Sequence, residues 1–572
     1  MIRLRNLEGL DGKFWKKFWA IAKPYWVSEE KTGAISLLAI LILLRLAFSS
    51  VVVYRTYLDR DFLNAISDKE IELFFHILSN YCYLFIFGTI FKVGSRYVEE
   101  KLGLYWRRWL TNHLLDKYCS DRNYYEIEIT KKIDNPDQRI ADETKAFTKT
   151  ALTFFVLIVG ETFDLIGFIA VLGSISPMLV VVAFLYSAFG SAIAVWAGKK
   201  LIRLKFIQLQ READFRYSLV HIRDHAESIA FYGGEAEETA QAKKRFDLAF
   251  NNFSRIVNWN RYLEFLSHGY NYVDDILPAL VVAPMYFTGQ VKFGVIEQSR
   301  KAFKQVVKSL SIIVNQFDDL SLFAAGVNRL STFDETLSET PNERSVGKTS
   351  IDTVVDSRLA LEQVTLLTPD SRKTLVKNVS VAVQAGEGLL IMGQSGTGKS
   401  SLLRAIAGLW NAGTGRLVRP RPEEMLFLPQ RPYMLLGSLR LQLLYPNTQR
   451  EISDEQLYET LKKVNLADLP ERVGGFDAEL DWADILSLGE QQRLAFARLL
   501  LCAPRYAILD ESTSALDIKN EQLLYQQLQA TGTTLIGVGH RPSLLSFHDL
   551  VLELEGNANW RLIPAQDYNP ST

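Results

Sequence analysis

Hydrophobic positions follow two different rules on either side of a polar stretch in this chain. Over residues 31–335 they gather in blocks long enough to cross a bilayer, which takes about 20 mostly apolar residues per helix. Six blocks are predicted, at 34–54, 73–93, 150–172, 177–197, 265–287 and 293–322. Only Gly173-Ser174-Ile175-Ser176 separates the third from the fourth, which predicts a tight hairpin. The sixth is the least hydrophobic and is retained on topology. A lysine-rich N-terminus and a soluble C-terminal half both belong on the cytoplasmic side, so the number of crossings must be even. The connections after blocks two and four are long and charged, as in Trp106-Arg107-Arg108-Trp109. Neither has the apolar content for a core of its own. Both are expected to be helices that run past the membrane and return, transmitting force to the spans.

Ahead of the first block, Phe14, Trp15, Phe18, Trp19, Tyr25 and Trp26 are interleaved with Lys13, Lys16, Lys17 and Lys23. This pattern predicts that residues 1–30 carry a helix lying in the membrane interface, aromatic side in lipid and lysines toward lipid phosphates. No cleavable leader is expected, because the first apolar block is long enough to span and lacks a small-residue cleavage site. Residues 336–352 are polar and aperiodic and read as a linker. From 353 to 572, short apolar runs alternate with helical patterns, as in a soluble α/β domain. The expected fold is an α-helical six-span transmembrane domain joined to an α/β P-loop domain.

Composition narrows this little. With 64 Lys+Arg against 65 Asp+Glu the chain is almost neutral, which removes the electrostatic case for nucleic acid. Cys82, Cys119 and Cys502 are far apart and fit neither a disulfide framework nor a zinc site.

The chemistry concentrates in the second half. Leu389-Leu390-Ile391-Met392 leads into Gly393-Gln394-Ser395-Gly396-Thr397-Gly398-Lys399-Ser400-Ser401 and then an apolar helical pattern. A strand, a glycine-rich turn and a helix make a phosphate cradle: backbone N–H groups and the helix N-terminus bind the phosphates. Lys399 is suited to the β/γ-phosphates of ATP and Ser400 to Mg²⁺. Phe427-Leu428-Pro429-Gln430 predicts a strand ending in a glutamine that touches Mg²⁺ and the attacking water. Leu486-Ser487-Leu488-Gly489-Glu490 opens a helix and so offers a second anion site. Its separation in sequence from the first suggests service to a γ-phosphate held by another subunit. Tyr506-Ala507-Ile508-Leu509-Asp510-Glu511 reads as a buried strand ending in two carboxylates, Asp510 for Mg²⁺ and Glu511 to polarise water. Asp517 follows in Ser514-Ala515-Leu516-Asp517, and Leu535–Gly539 ends at His540, placed to bond the γ-phosphate. Phosphoryl transfer needs positioning and electrostatics, and each part is present.

Charges inside spans are costly and mark functional candidates. Glu161 and Asp164 fall in the third block, Asp274 and Asp275 in the fifth, and Arg300, Lys301, Lys304 and Lys308 in the sixth. Arg300, Lys304 and Lys308 share one helical face over about 12 Å. Two readings stand open: the cations pair with the acids as structural ion pairs, or they line a substrate path that favours anions.

The order of these motifs resembles the ABC transporter superfamily over essentially the whole chain. Asp134-Asn135-Pro136-Asp137-Gln138-Arg139-Ile140, Ala226-Glu227-Ser228-Ile229-Ala230-Phe231-Tyr232-Gly233-Gly234 and Pro429-Gln430-Arg431-Pro432-Tyr433 look like its subfamily D, as does the Ser-Leu-Gly-Glu signature. That subfamily includes peroxisomal acyl-CoA transporters and a lysosomal cobalamin transporter. The chain looks equally like bacterial BacA/SbmA-related permease–ATPase fusions that take up peptides and cobalamin.

The resemblance implies an ATP-hydrolysing half-transporter that works as a homodimer in membrane lipid, with two ATP sites. Each site takes Lys399 from one subunit and Ser487 and Gly489 from the other. It also implies that Glu227 lies in a coupling segment that meets the partner's ATPase domain. Uptake of a small hydrophilic or peptide cargo across a bacterial inner membrane is the expectation. Acyl-CoA transport and export of an amphipathic compound are the alternatives, and an ATPase that gates a partner's channel is the rival class. One departure is that Val364-Thr365-Leu366-Leu367-Thr368-Pro369 holds no aromatic residue to stack on adenine, so loose base selectivity is expected.

Overall fold

A computed structural model describes residues 12–312, 316–338, 350–368 and 373–569. The chain divides into two compact units, Met1–Glu339 and Thr340–Thr572. Most of the predicted linker, residues 339–349, lies outside the described residues.

The first unit is helical. Helix α1 (Gly12–Val27) is followed by α2 (Lys31–Ser67), α3 (Ile71–Cys119), α4 (Thr144–Ile175), α5 (Pro177–Asp224), the short α6 (Ala226–Tyr232), α7 (Glu235–Phe287), α8 (Gly294–Leu310) and α9 (Phe317–Ser338). At 49, 48 and 53 residues, α3, α5 and α7 extend about 70–80 Å, more than twice the ~30 Å hydrocarbon thickness. The long connections of the sequence are therefore continuations of these helices. Extended backbone at Ser176 breaks α4 from α5, and Pro177, which lacks an N–H, starts the next helix at no cost in hydrogen bonds.

Among the described residues three stretches are long and apolar enough to cross a membrane, in Lys31–Ser67, Ile71–Thr130 and Pro136–Ile175, and Pro177–Ile193 adds a shorter apolar one. Phe85, Ile86, Phe87 and Ile90 on α3 stay exposed, an arrangement that suits lipid rather than water. The protein is thus an integral membrane protein. The sixth predicted block does not form one helix: α8 ends at Leu310 and α9 begins at Phe317. Its composition explains this. In α8, Ala302, Phe303, Val306 and Val307 are buried on one side and the cations occupy the other, so the helix is amphipathic rather than apolar all round.

Within the predicted segment 1–30, residues 1–11 lie outside the described residues, and the aromatic helix is α1, which sets part of its aromatic face on the protein. Phe14 and Tyr25 are buried against the protein: Phe14 edges Phe323, Tyr25 stacks on Trp106 with centroids 5.7 Å apart, and Lys17 donates to Asn328. Only Trp15 and Trp19 remain as outward-facing aromatics of this helix above half exposure. The aromatic spacing reported a buried helical face, which lipid and a neighbouring helix satisfy equally.

The second unit contains a four-stranded sheet of β1 (Asp352–Val355), β5 (Gly413–Arg419), β2 (Leu359–Leu367) and β3 (Thr374–Val383), in that order. A six-stranded sheet follows the order β12 (Asn559–Pro564), β11 (Leu550–Gly556), β4 (Leu389–Gly393), β10 (Thr534–Val538), β9 (Tyr506–Asp510), β6 (Met425–Leu428). A small ribbon pairs β7 (Gly437–Ser438) with β8 (Glu479–Leu480). In the six-stranded sheet β11, β4, β10, β9 and β6 run parallel, with β12 antiparallel at the edge. Strands buried on both faces read as unbroken apolar runs, which is why Leu389–Met392 and Tyr506–Leu509 were recognisable. Loops at the carboxyl ends of β4, β6, β9 and β10 carry the candidate chemistry, the usual place for a site on an open parallel sheet.

Candidate active site

The loop after β4 turns at Gly393, Gly396 and Gly398, all with positive φ (142°, 84° and 104°). A Cβ at Gly393 would strike the carbonyl of Leu554, so the turn requires glycine there. Helix α10 (Lys399–Ile406) begins directly behind it. Lys399 is buried; its Nζ donates to the carbonyls of Gly393 (2.7 Å) and Gln394 (3.1 Å), which holds the ammonium inside the loop. Burial lowers its pKa, opposed by the nearby Glu511 and Asp510 carboxylates. Ser400 Oγ donates to Asp510 Oδ1 at 3.3 Å. Burial raises the Asp510 carboxyl above the ordinary range, and the Ser400 hydrogen bond pulls the other way.

Glu511 sits one residue past β9 with φ of 46°, and its N–H bonds the carbonyl of Val538 on β10 (3.0 Å). Its two carboxylate oxygens are held from opposite sides. Gln430 Nε2 donates to Oε2 at 3.0 Å, and His540 Nε2 lies 2.9 Å from Oε1. The structure thus gathers Lys399, Ser400, Asp510, Glu511, Gln430 and His540, drawn from four separate loops.

Ser487 caps α11 (Leu488–Cys502) in a capping box: Ser487 Oγ accepts from the Glu490 N–H (3.3 Å), and the Glu490 carboxylate accepts from the Ser487 N–H (2.9 Å). Arg472 fixes the other carboxylate oxygen at 2.6 Å. Burial pushes the Glu490 carboxyl up, but these hydrogen bonds outweigh it and leave the pKa low. Asp517 caps α12 (Ile518–Gln529), accepting from the Asn520 N–H at 2.8 Å. Among the described residues no hydrogen bond joins Ser487–Glu490 to the 393–401 loop; the two segments of one chain are built separately.

Every cation of the α8 stripe has an acidic partner. Arg300 binds Asp275 (3.1 Å) and Glu297 (2.9 Å), Lys301 binds Asp59 (2.6 Å), and Lys308 binds Glu161 (3.0 Å). Lys304 lies farther off, 3.7 Å from Asp275 and 3.9 Å from Asp274. Asp164 accepts from Ser49 at 2.5 Å. Glu227 stands on the exposed helix α6, beside Phe231 and Tyr232 at 83% and 90% exposure.

Sequence reasoning assigned no role to Gln492 or Arg541. Gln492 was visible only as part of the run after the signature, and Arg541 as the neighbour of His540. Both bond the turn that leads to Asp517.

A family model described as "ABC transporter transmembrane region 2" matches residues 21–287, and one described as "ABC transporter" matches 376–514. The chain is 42% identical to the chloroplastic ABC transporter D family member 2 of Arabidopsis thaliana, over 97% of this chain and 89% of the relative. It is 30% identical to the human lysosomal cobalamin transporter ABCD4, over 97% and 96%. The Escherichia coli inner membrane ABC transporter ATP-binding protein YddA is similar at 27% identity, over 94% and 97%.

Proposed function

The chain belongs to the ABC transporter family, coupling ATP hydrolysis to movement of a substrate across a membrane, and from that premise we propose how its residues do so and for what cargo. The chain is a half-transporter with six crossings that functions as a homodimer. Lys399 and the N–H groups of Gly393–Ser401 bind the ATP phosphates, and the partner subunit closes the same site with the start of its own signature helix. Glu511 polarises the attacking water, Gln430 orients it, and His540 bonds the γ-phosphate. The observation that carries this reading is the double clamp on Glu511 by Gln430 and His540. It fixes a carboxylate beside the buried Lys399, and positioning of this kind supplies most of the catalysis of phosphoryl transfer. Ser400, Asp510 and Gln430 offer the oxygen donors a hard divalent ion takes, and they would hold Mg²⁺, which neutralises phosphate charge.

For cargo we favour uptake of a hydrophilic or amphipathic compound such as cobalamin or a peptide across a bacterial inner membrane. The similarity to a relative named as a cobalamin transporter supports this. Fatty acyl-CoA is the second reading, favoured by Lys304, whose side chain is 55% exposed and would suit the phosphates of such a cargo. Glu227 and its exposed helix pass the ATPase cycle to the spans.

The test is ATPase activity of the reconstituted protein with cobalamin or a long-chain acyl-CoA. Glu511→Gln is expected to lose at least about 100-fold in kcat whatever is added. Cobalamin is expected to stimulate the wild type. Stimulation by acyl-CoA alone would reverse the cargo assignment, and full activity of the Glu511→Gln protein would overturn the role of Glu511.

A further inference from the structure

The side chain of Gln492, in the second turn of α11, is completely buried and spends all its polar atoms on other segments. Its Nε2 donates to the backbone carbonyl of Gln430 (3.1 Å) and to Ser514 Oγ (3.2 Å). Its Oε1 accepts from the Ala515 N–H at 3.1 Å. One amide therefore joins three elements: the helix that begins at Ser487, the loop whose glutamine holds Glu511, and the turn from Glu511 to Asp517. That turn is held from its other side as well. Arg541, next to His540, donates to the carbonyls of Ser514 (3.0 Å) and Leu516 (2.8 Å) and to the buried Glu521 (3.2 Å).

We propose that Gln492 is a positioning residue that mechanically links the two ATP sites of the dimer through each chain. This rests on the composite-site reading above. In that arrangement Ser487 and Gly489 face the partner's nucleotide, whereas Gln430 and Glu511 face the chain's own. A phosphate that moves the N-terminus of α11 therefore moves Gln492. Gln492 carries the displacement to the Gln430 backbone and to the Ser514–Asp517 turn. An amide with a partner on all three segments transmits such a shift because none of them moves without breaking a hydrogen bond to a fully buried side chain, which leaves its amide unsatisfied. Filling the same volume with an apolar side chain keeps the packing and removes the linkage.

The experiment is steady-state ATPase of the full-length chain across ATP concentrations, for wild type, Gln492→Met, Ser514→Ala and the double variant. ATP affinity is measured separately in the Glu511→Gln background. Gln492→Met is expected to lower kcat about tenfold and abolish cooperativity in ATP, while affinity changes by less than about twofold. Ser514→Ala, at an exposed position, is expected to move both readouts the same way by a smaller factor. The double variant should match Gln492→Met, because both substitutions cut the same link.

A folded Gln492→Met protein with wild-type kcat and cooperativity overturns the proposal, as does simple additivity in the double variant. If Gln492→Met does not fold, wild-type kinetics in Ser514→Ala overturns it instead. A wild type without cooperativity refutes the link, whereas the composite-site reading fails only if mixed Lys399→Ala and Ser487→Arg chains regain no activity. A cooperative wild type whose Gln492→Met variant stays cooperative refutes the link alone.

Discussion

His548 is a buried titratable side chain that the hydrolytic site does not use. Its Nδ1 lies 2.8 Å from the carbonyl of Leu544, and its Nε2 is buried without a hydrogen-bond partner. Burial lowers its pKa to about 4 from an ordinary 6.5, against smaller opposing effects of Leu544 and Asp549. Because the fold holds this imidazole neutral, the unfolded chain binds the extra proton between these two values. The stabilisation is fully present above pH 6.5 and falls as pH drops toward 4, by about 3 kcal/mol in total. Melting temperature is expected to fall across that window, and His548→Asn, which removes the titration, should flatten the slope. Parallel slopes in the two proteins would refute the assignment. His540 was readable in the sequence because it closes a strand in a series of ordered motifs. His548 was not, since the groups that enclose it, Gly388 before β4, Gly537 on β10 and the Tyr525 ring on α12, are distant from it in sequence.

At the scale of elements, the stripe on α8 separates into two kinds of cation. Lys308 meets Glu161, whose side chain is 7% exposed and also accepts from Ser309 at 2.6 Å. Removing Lys308 leaves the buried Glu161 with only its neutral donors Ser309 and Gln305, so Lys308→Gln is expected to cost about 1 kcal/mol of stability, with recovery in Glu161→Gln/Lys308→Gln. Lys304 is held more loosely, 3.7 Å or more from either aspartate. Lys304→Gln should fold normally and weaken stimulation by an anionic cargo while leaving a neutral one unchanged. Thermal melts and cargo titrations of the two variants check both outcomes; equal loss of folded protein would make the whole stripe structural. The i, i+4, i+8 spacing was legible in the sequence, because it is a property of one helix. The partners were not, because Asp59, Glu161 and Asp275 come from three different helices, α2, α4 and α7, whose packing no local pattern encodes. For the same reason the break after Leu310 was missed: the even-crossing argument requires a chain to cross, and says nothing about how straight it is.

At the scale of the molecule, one chain presents every hydrolytic part once, yet its own signature end makes no hydrogen bond to its own phosphate loop among the described residues. The proposed two-fold dimer would resolve this. In it an isologous interface would bring each phosphate loop to the other subunit's α11, and one symmetry operation would complete both sites. The arrangement has a consequence that a self-sufficient chain would not share. Lys399→Ala and Ser487→Arg each spoil both sites of their own homodimer. When the two variants are mixed and exchanged, half of the dimers at random pairing hold one chain of each kind. In such a dimer one site collects both lesions, and the other pairs an intact Lys399 with an intact Ser487. Activity is therefore expected to reappear on mixing, up to about a quarter of wild type, from two preparations that are each inactive. If each chain completed its own site, every site in the mixture would keep one lesion and no activity would return. Rescue on mixing is thus a direct measure of whether ATP is held between chains, and it does not depend on knowing the cargo.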